Sequence, residues 1–141
     1  MQRIVLDTSV VVAGLRTRSG AGNAVMRLVA NRYLVALATP PLFLEYEEVL
    51  KRAEQRLAHG LMPEEVDEFL GEFAALIEPV ELHFRWRPQL RDPGDEMVLE
   101  AAINGGADAV VTYNTGDFAA AGERFGIAVL RPGEVLRRVK P

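Results

Sequence analysis

A chain of 141 residues, 49% of them hydrophobic, has the length of one domain and enough apolar side chains for one continuous core. A net charge of −4 argues against a protein that coats nucleic acid through a basic surface. The absence of cysteine excludes disulfides and thiolate metal sites and accords with a reducing compartment. The opening MQRIVLDTS is too short an apolar run for a secretory leader. No stretch approaches the roughly 20 apolar residues of a membrane helix. A cytoplasmic protein with no membrane partner is therefore expected.

Residues 3–6 form an apolar run ending at Asp7 and read as a buried first strand. A short helix is expected to begin at 10–15, followed by a polar, glycine-containing loop over 16–22. Residues 23–31 have helical spacing, with Val25, Leu28 and Val29 on one face. A second strand is predicted at 34–38. Thr39 then caps a helix whose first turn carries Pro40 and Pro41, where the missing N–H does little harm.

That helix is expected to continue as one amphipathic element over 42–58, carrying Glu45, Glu47 and Glu48. Another runs from Pro63 to about Ile77, with Val66, Phe69, Leu70, Phe73 and Ile77 at intervals of three and four. A short strand is expected at 80–82 and an irregular loop at 85–94. A helix over 96–104 ends at Gly105 and Gly106. Strands at 109–112 and 127–130 follow, and a last short helix occupies 132–139. Alternating strands and helices predict a single α/β/α domain over 1–141, with a mostly parallel central sheet flanked by helices. In such sheets, sites form beyond the carboxyl ends of the strands.

Four separated segments bring acids or amides toward that edge. Asp7 follows the first strand. Glu45 lies early in the helix after the second. Asp92, Asp95 and Glu96 lead into a helix, and Asn114 and Asp117 lie just beyond Thr112. Clustered carboxylates raise one another's pKa unless a cation intervenes. Oxygen-only ligands suit hard ions such as Mg²⁺ or Mn²⁺, which support phosphodiester cleavage and reverse the sign of an acidic site. His59 and His83 are isolated and have no zinc-ligand spacing. Each acid also has a structural explanation. Asp7 suits a helix cap. Glu45 suits a solvated helix face. Asp92-Pro93-Gly94-Asp95 is a good turn and helix start, and Glu96 suits a helix N-terminus. Their order and spacing carry more weight than any one of them.

Four blocks resemble the PIN-domain family, in particular its bacterial, toxin-like (VapC-type) branch. They are residues 4–10 (IVLDTSV), 40–45 (PPLFLE), 92–104 (DPGDEMVLEAAIN) and 106–118 (GADAVVTYNTGDF). Residues 125–127 and 132–134 also resemble this branch. The resemblance implies an endoribonuclease dependent on Mg²⁺ or Mn²⁺. Asp7, Glu45, Asp95, Glu96 and Asp117 would be its catalytic and metal-binding set, supported by Ser9, Thr112 and Asn114. Counted back from Thr112, the family's third acid falls on Glu96, with Asp95 adjacent. It further implies a single-stranded RNA substrate, a homodimer and, for a toxin, an antitoxin that blocks the acidic pocket. Arg85, Arg87 and Arg91 lie close in sequence to the third acidic block; an exposed polar loop explains any one of them more readily than contact with the RNA backbone.

A dehalogenase-like phosphatase would need a second aspartate where Ser9 stands, and a receiver domain a lysine where Arg131 follows the last strand. Two readings remain beside the toxin: an RNA-processing nuclease of the same family, and a catalytically silent domain that binds RNA or protein.

Overall fold

A computed structural model describes residues 2–84 and 89–139. The chain order is β1 (Gln2–Leu6), α1 (Thr8–Arg16), α2 (Ala21–Ala30), β2 (Leu34–Ala38), α3 (Pro40–Leu50), α4 (Ala53–His59), α5 (Pro63–Leu76) and β3 (Ile77–Pro79). It continues with α6 (Pro93–Gly105), β4 (Ala109–Val111), α7 (Thr115–Phe125), β5 (Ala128–Leu130) and α8 (Pro132–Arg138). The strands form one five-stranded sheet in the order β3-β2-β1-β4-β5, and every pairing is parallel.

Burial explains the layering. Successive strand residues point to opposite faces. Ile4, Val5 and Leu6 of β1 and Ala109, Val110 and Val111 of β4 are nevertheless all buried. Both faces of the sheet are therefore covered, and the strands read as unbroken apolar runs instead of alternating ones. The expected α/β/α architecture is found. Thr39 caps α3 by accepting from the Leu42 amide, and α6 ends on Gly106 at φ 62°, the left-handed conformation that suits glycine.

Two local expectations fail. The helix expected over 42–58 is two helices. Arg52 is extended (φ −63°, ψ 144°) and Lys51 is bound to Asp67 of α5 at 2.6 Å. Leu42, Tyr46 and Leu50 anchor α3 in the core, whereas α4 buries no residue. With no side chain of α4 buried, the chain turns at Lys51–Arg52 without a glycine or proline to signal it. The third strand lies at Ile77–Pro79 and not at 80–82, with Ile77 paired to Ala36. Helix and strand abut there, so the helical spacing carried on to Ile77 hides the strand. Pro79 is tolerated because β3 is an edge strand.

The sheet order decides where ligands can bind. The chain fills β1, β2 and β3 toward one side and then crosses to β4 and β5 on the other. The carboxyl ends of β1 and β4 flank this switch point, the usual crevice of an open parallel sheet. Leu6 pairs with Val111, so Asp7 and Thr112 emerge side by side at the crevice.

Candidate active site at the carboxyl edge of the sheet

Asp7 stands at the centre of the crevice and is only 5% exposed. Its Oδ2 accepts two hydroxyl hydrogen bonds, from Ser9 and from Thr112, each 2.7 Å. Thr112 Oγ1 accepts in turn from the Asn114 amide at 2.9 Å, which sets the start of α7. The Asp7 main chain is fixed as well: its N–H donates to Val111, and its carbonyl accepts from Val10 at the head of α1. Tyr46 of α3 donates its hydroxyl to the Leu6 carbonyl just before it. One carboxylate oxygen is thus held by two short bonds. Oδ1 makes no hydrogen bond to the described residues.

The other acids arrive on helix N-terminal turns that begin at the same edge. Asp95 lies in the first turn of α6 and Asp117 in the first turn of α7. Burial pushes the Asp95 carboxyl up to about 6, and the charges of Asp7, Asp92, Asp117 and Glu96 add to the effect. Glu45 of α3 is also raised, first by burial and then by Glu48, with Asp92 and Asp7 contributing further and Arg52 opposing. The four expected segments therefore converge in one field of negative charge. Among the described residues, no three acidic or histidine side chains are already grouped as a metal cage.

Glu96 differs from its neighbour. It is 4% exposed, and its Oε1 accepts from the backbone amides of Gln89 (2.7 Å) and Leu90 (2.8 Å). Adjacent helix positions lie about 100° apart around the axis. Asp95 therefore looks into the crevice while Glu96 turns under the preceding loop and holds it. Asp92 caps α6, accepting from the Gly94 amide at 2.7 Å. A Cβ on Gly94 would lie 3.2 Å from that Asp92 oxygen, a tight contact with the capping carboxylate, and 3.5 Å from Glu45 Oε1, which places α3 against the start of α6.

Glu96→Ala would leave two partly buried amides without their charged acceptor. Hydrogen bonds to a charge contribute about 1.5–3 kcal/mol each, so a loss of about 2 kcal/mol or more in urea unfolding is expected. Glu96→Gln should lose less, because its amide oxygen still accepts. An unchanged unfolding midpoint in Glu96→Ala would show that the loop does not depend on this carboxylate.

A cleft of about 660 Å³ opens beside the acids. Its lining includes Asp92, Asp95 and Asp117 together with Gln89, Arg91 and Arg124. Arg124 escaped the sequence reading. Its signal was the stripe Asp117, Ala120, Ala121, Arg124 along one face of α7. Arg91 lines the cleft, whereas Arg85 and Arg87 lie outside the described residues.

A three-layer fold with an acidic crevice at the switch point defines a class of α/β protein, and the comparisons with known proteins place it. The family model for the PIN domain matches residues 3–116. The chain belongs to the PIN-domain family. The fold is similar to that of VapBC from Salmonella typhimurium bound to DNA (TM-score 0.64, 18% identity, 94% of this chain and 99% of that one). It is also similar to VapBC2 from Rickettsia felis bound to a DNA fragment from their promoter (0.60, 13%, 92% and 98%). FitAB bound to the IR36 DNA fragment shares it too (0.57, 19%, 92% and 94%). Comparison with curated proteins finds no match. Among the described residues no helix is long and apolar enough to cross a membrane.

Proposed function

We propose that this protein is an endoribonuclease that hydrolyses RNA phosphodiester bonds with the help of Mg²⁺ or Mn²⁺, and that it is the toxin of a toxin–antitoxin pair. The observation that carries the reading is the convergence at one crevice of Asp7, Glu45, Asp95 and Asp117 from four different elements, with the Asp95 carboxyl held up to about 6. A set of hard oxygen donors that burial and like charge make uncomfortable fits a hard divalent cation. Asp7 and Asp95, with Glu45 and Asp117, are the residues that would hold it. Glu96 is left to brace the loop at Gln89 and Leu90.

When bound, such an ion acidifies water and offsets charge on the phosphoryl group. The chain's own residues do the rest. Ser9 and Thr112 hold the Asp7 carboxylate in one orientation, and Asn114 is fixed beside it through Thr112. The N-terminal ends of α1 and α7 point their positive dipoles at the crevice, where a phosphate would lie. An open cleft admits the accessible backbone of a single strand more readily than a duplex.

The toxin assignment draws on the fold shared with VapBC and FitAB complexes. It gives the protein an antitoxin partner and a homodimeric state. Leu44 on α3 and Leu57 on α4 are 62% and 89% exposed, and are apolar surface that such partners would cover.

The test is incubation of the purified protein with a fluorescent single-stranded RNA in Mn²⁺, Mg²⁺ or EDTA. Cleavage that requires the metal is expected. No cleavage, together with no metal-induced rise in melting temperature, would make the protein a silent binding domain.

A further inference from the structure

The cleft beside the acids contains a feature that their chemistry does not require. Arg124 lines it two helical turns beyond Asp117, on the same face of α7, with Ala120 and Ala121 between them. At 1.5 Å per residue their backbone positions are about 10 Å apart along the helix axis. Arginine beside carboxylates normally pairs with them, through strong charge-assisted bonds. Arg124 does not. Among the described residues its guanidinium bonds only to the neutral side-chain oxygen of Gln89. Gln89 is itself held from below, since its backbone N–H donates to the buried Glu96 carboxylate. A neutral partner thus orients the guanidinium and leaves its charge unspent. Arg91, which also lines the cleft, has no carboxylate partner among the described residues either.

We infer that Arg124, oriented by Gln89, seats a backbone phosphate of the RNA next to the one being cut, with the small Ala120 and Ala121 leaving room for the intervening ribose. The inference rests on the nuclease reading. It makes Arg124 a substrate-positioning residue, and it makes Glu96 its support through the loop. An acidic cleft tracks a strand by such isolated cations, and the fixed spacing from Asp117 sets which neighbouring phosphate is gripped.

The experiment compares wild type with Arg124→Ala and Arg124→Lys on two substrates. One is a single-stranded RNA oligomer. The other is bis(p-nitrophenyl) phosphate, a diester with no flanking phosphate. For Arg124→Ala we expect KM on the oligomer to rise about tenfold, the loss of one charged hydrogen-bonded contact, with kcat within a factor of about two. Hydrolysis of the small diester should be unchanged, and Arg124→Lys should recover part of the loss. Binding of the oligomer followed by anisotropy with Ca²⁺ at several salt concentrations should show a log Kd–log salt slope lower by about 0.7 in Arg124→Ala. An unchanged KM and slope, or an equal loss on the small diester, would overturn the inference and leave the nuclease reading standing. A wild-type protein that cleaves neither substrate and does not bind the oligomer would remove both.

Discussion

Asp7→Asn should abolish metal-dependent cleavage and leave the fold intact. The side chain is buried, and one of its oxygens already accepts from Ser9 and Thr112 at 2.7 Å each. An asparagine can offer its amide oxygen to the same two hydroxyls and so preserve the local network. What it cannot restore is the negative charge, nor the acceptor at Oδ1. Even the loss of a partner one shell away from a metal costs about 10–100-fold, so a direct ligand should cost at least about 100-fold in kcat/KM. The melting temperature in EDTA should stay close to that of wild type. A variant that still cuts RNA within a few fold of wild type would remove Asp7 from the metal set. One that unfolds would show that the charge is structural.

Asp95→Asn should move stability and activity in opposite directions. In the metal-free protein the Asp95 carboxyl is raised from 3.8 to about 6, first by burial and then by Asp7, Asp92, Asp117 and Glu96. The folded protein therefore binds this proton more tightly than the unfolded chain does. Stability contributed by the protonated form is fully present below the unfolded value and is lost as pH rises through about 6. At pH 7.5 in EDTA wild type carries the whole penalty, and Asp95→Asn, which cannot ionise, should melt higher. At pH 4.5 the difference should be clearly smaller, closing only below the unfolded value of 3.8. Added Mn²⁺ should raise the melting temperature of wild type at pH 7.5 by mass action and raise that of the variant far less. RNA cleavage by the variant should fall sharply. This is the trade expected where an active site holds charge at the expense of stability. A variant that melts lower than wild type at pH 7.5 in EDTA would contradict the account, because it would show that the charge of Asp95 is paired in the folded state.

The likeness to VapBC and FitAB complexes and the PIN family match both accord with the motifs visible in the chain. Those motifs were legible because they sit on elements with strong local signals. Residues 34–38 are an unbroken apolar run between polar punctuation, and the strand occupies those residues. Asp7 directly follows such a run, so its place at the end of β1 could be read without knowing the sheet order. Local patterning could not show that 51–52 breaks a helix. At that turn Lys51 pairs with Asp67, sixteen positions away in the chain, and the following helix α4 buries no residue, neither of which local spacing reveals.

The sequence by itself determined the element types, the parallel α/β class, the acids at strand ends and helix starts, and the resemblance to the PIN domain. These depend on apolar periodicity, on proline and glycine punctuation, and on motif spacing, all of which are local along the chain. Only the tertiary structure decided where the acids lie and what they bond. Asp95 and Glu96 are neighbours with the same charge, and nothing in their order says which faces the crevice. The loop amides of Gln89 and Leu90 claim Glu96, and the sheet order brings Asp95 within the field of Asp7 and Asp117. Arg124 likewise came to the cleft only when α7 laid it there, because its partner Gln89 and the cleft residue Asp95 are distant in sequence and are brought near it by packing alone.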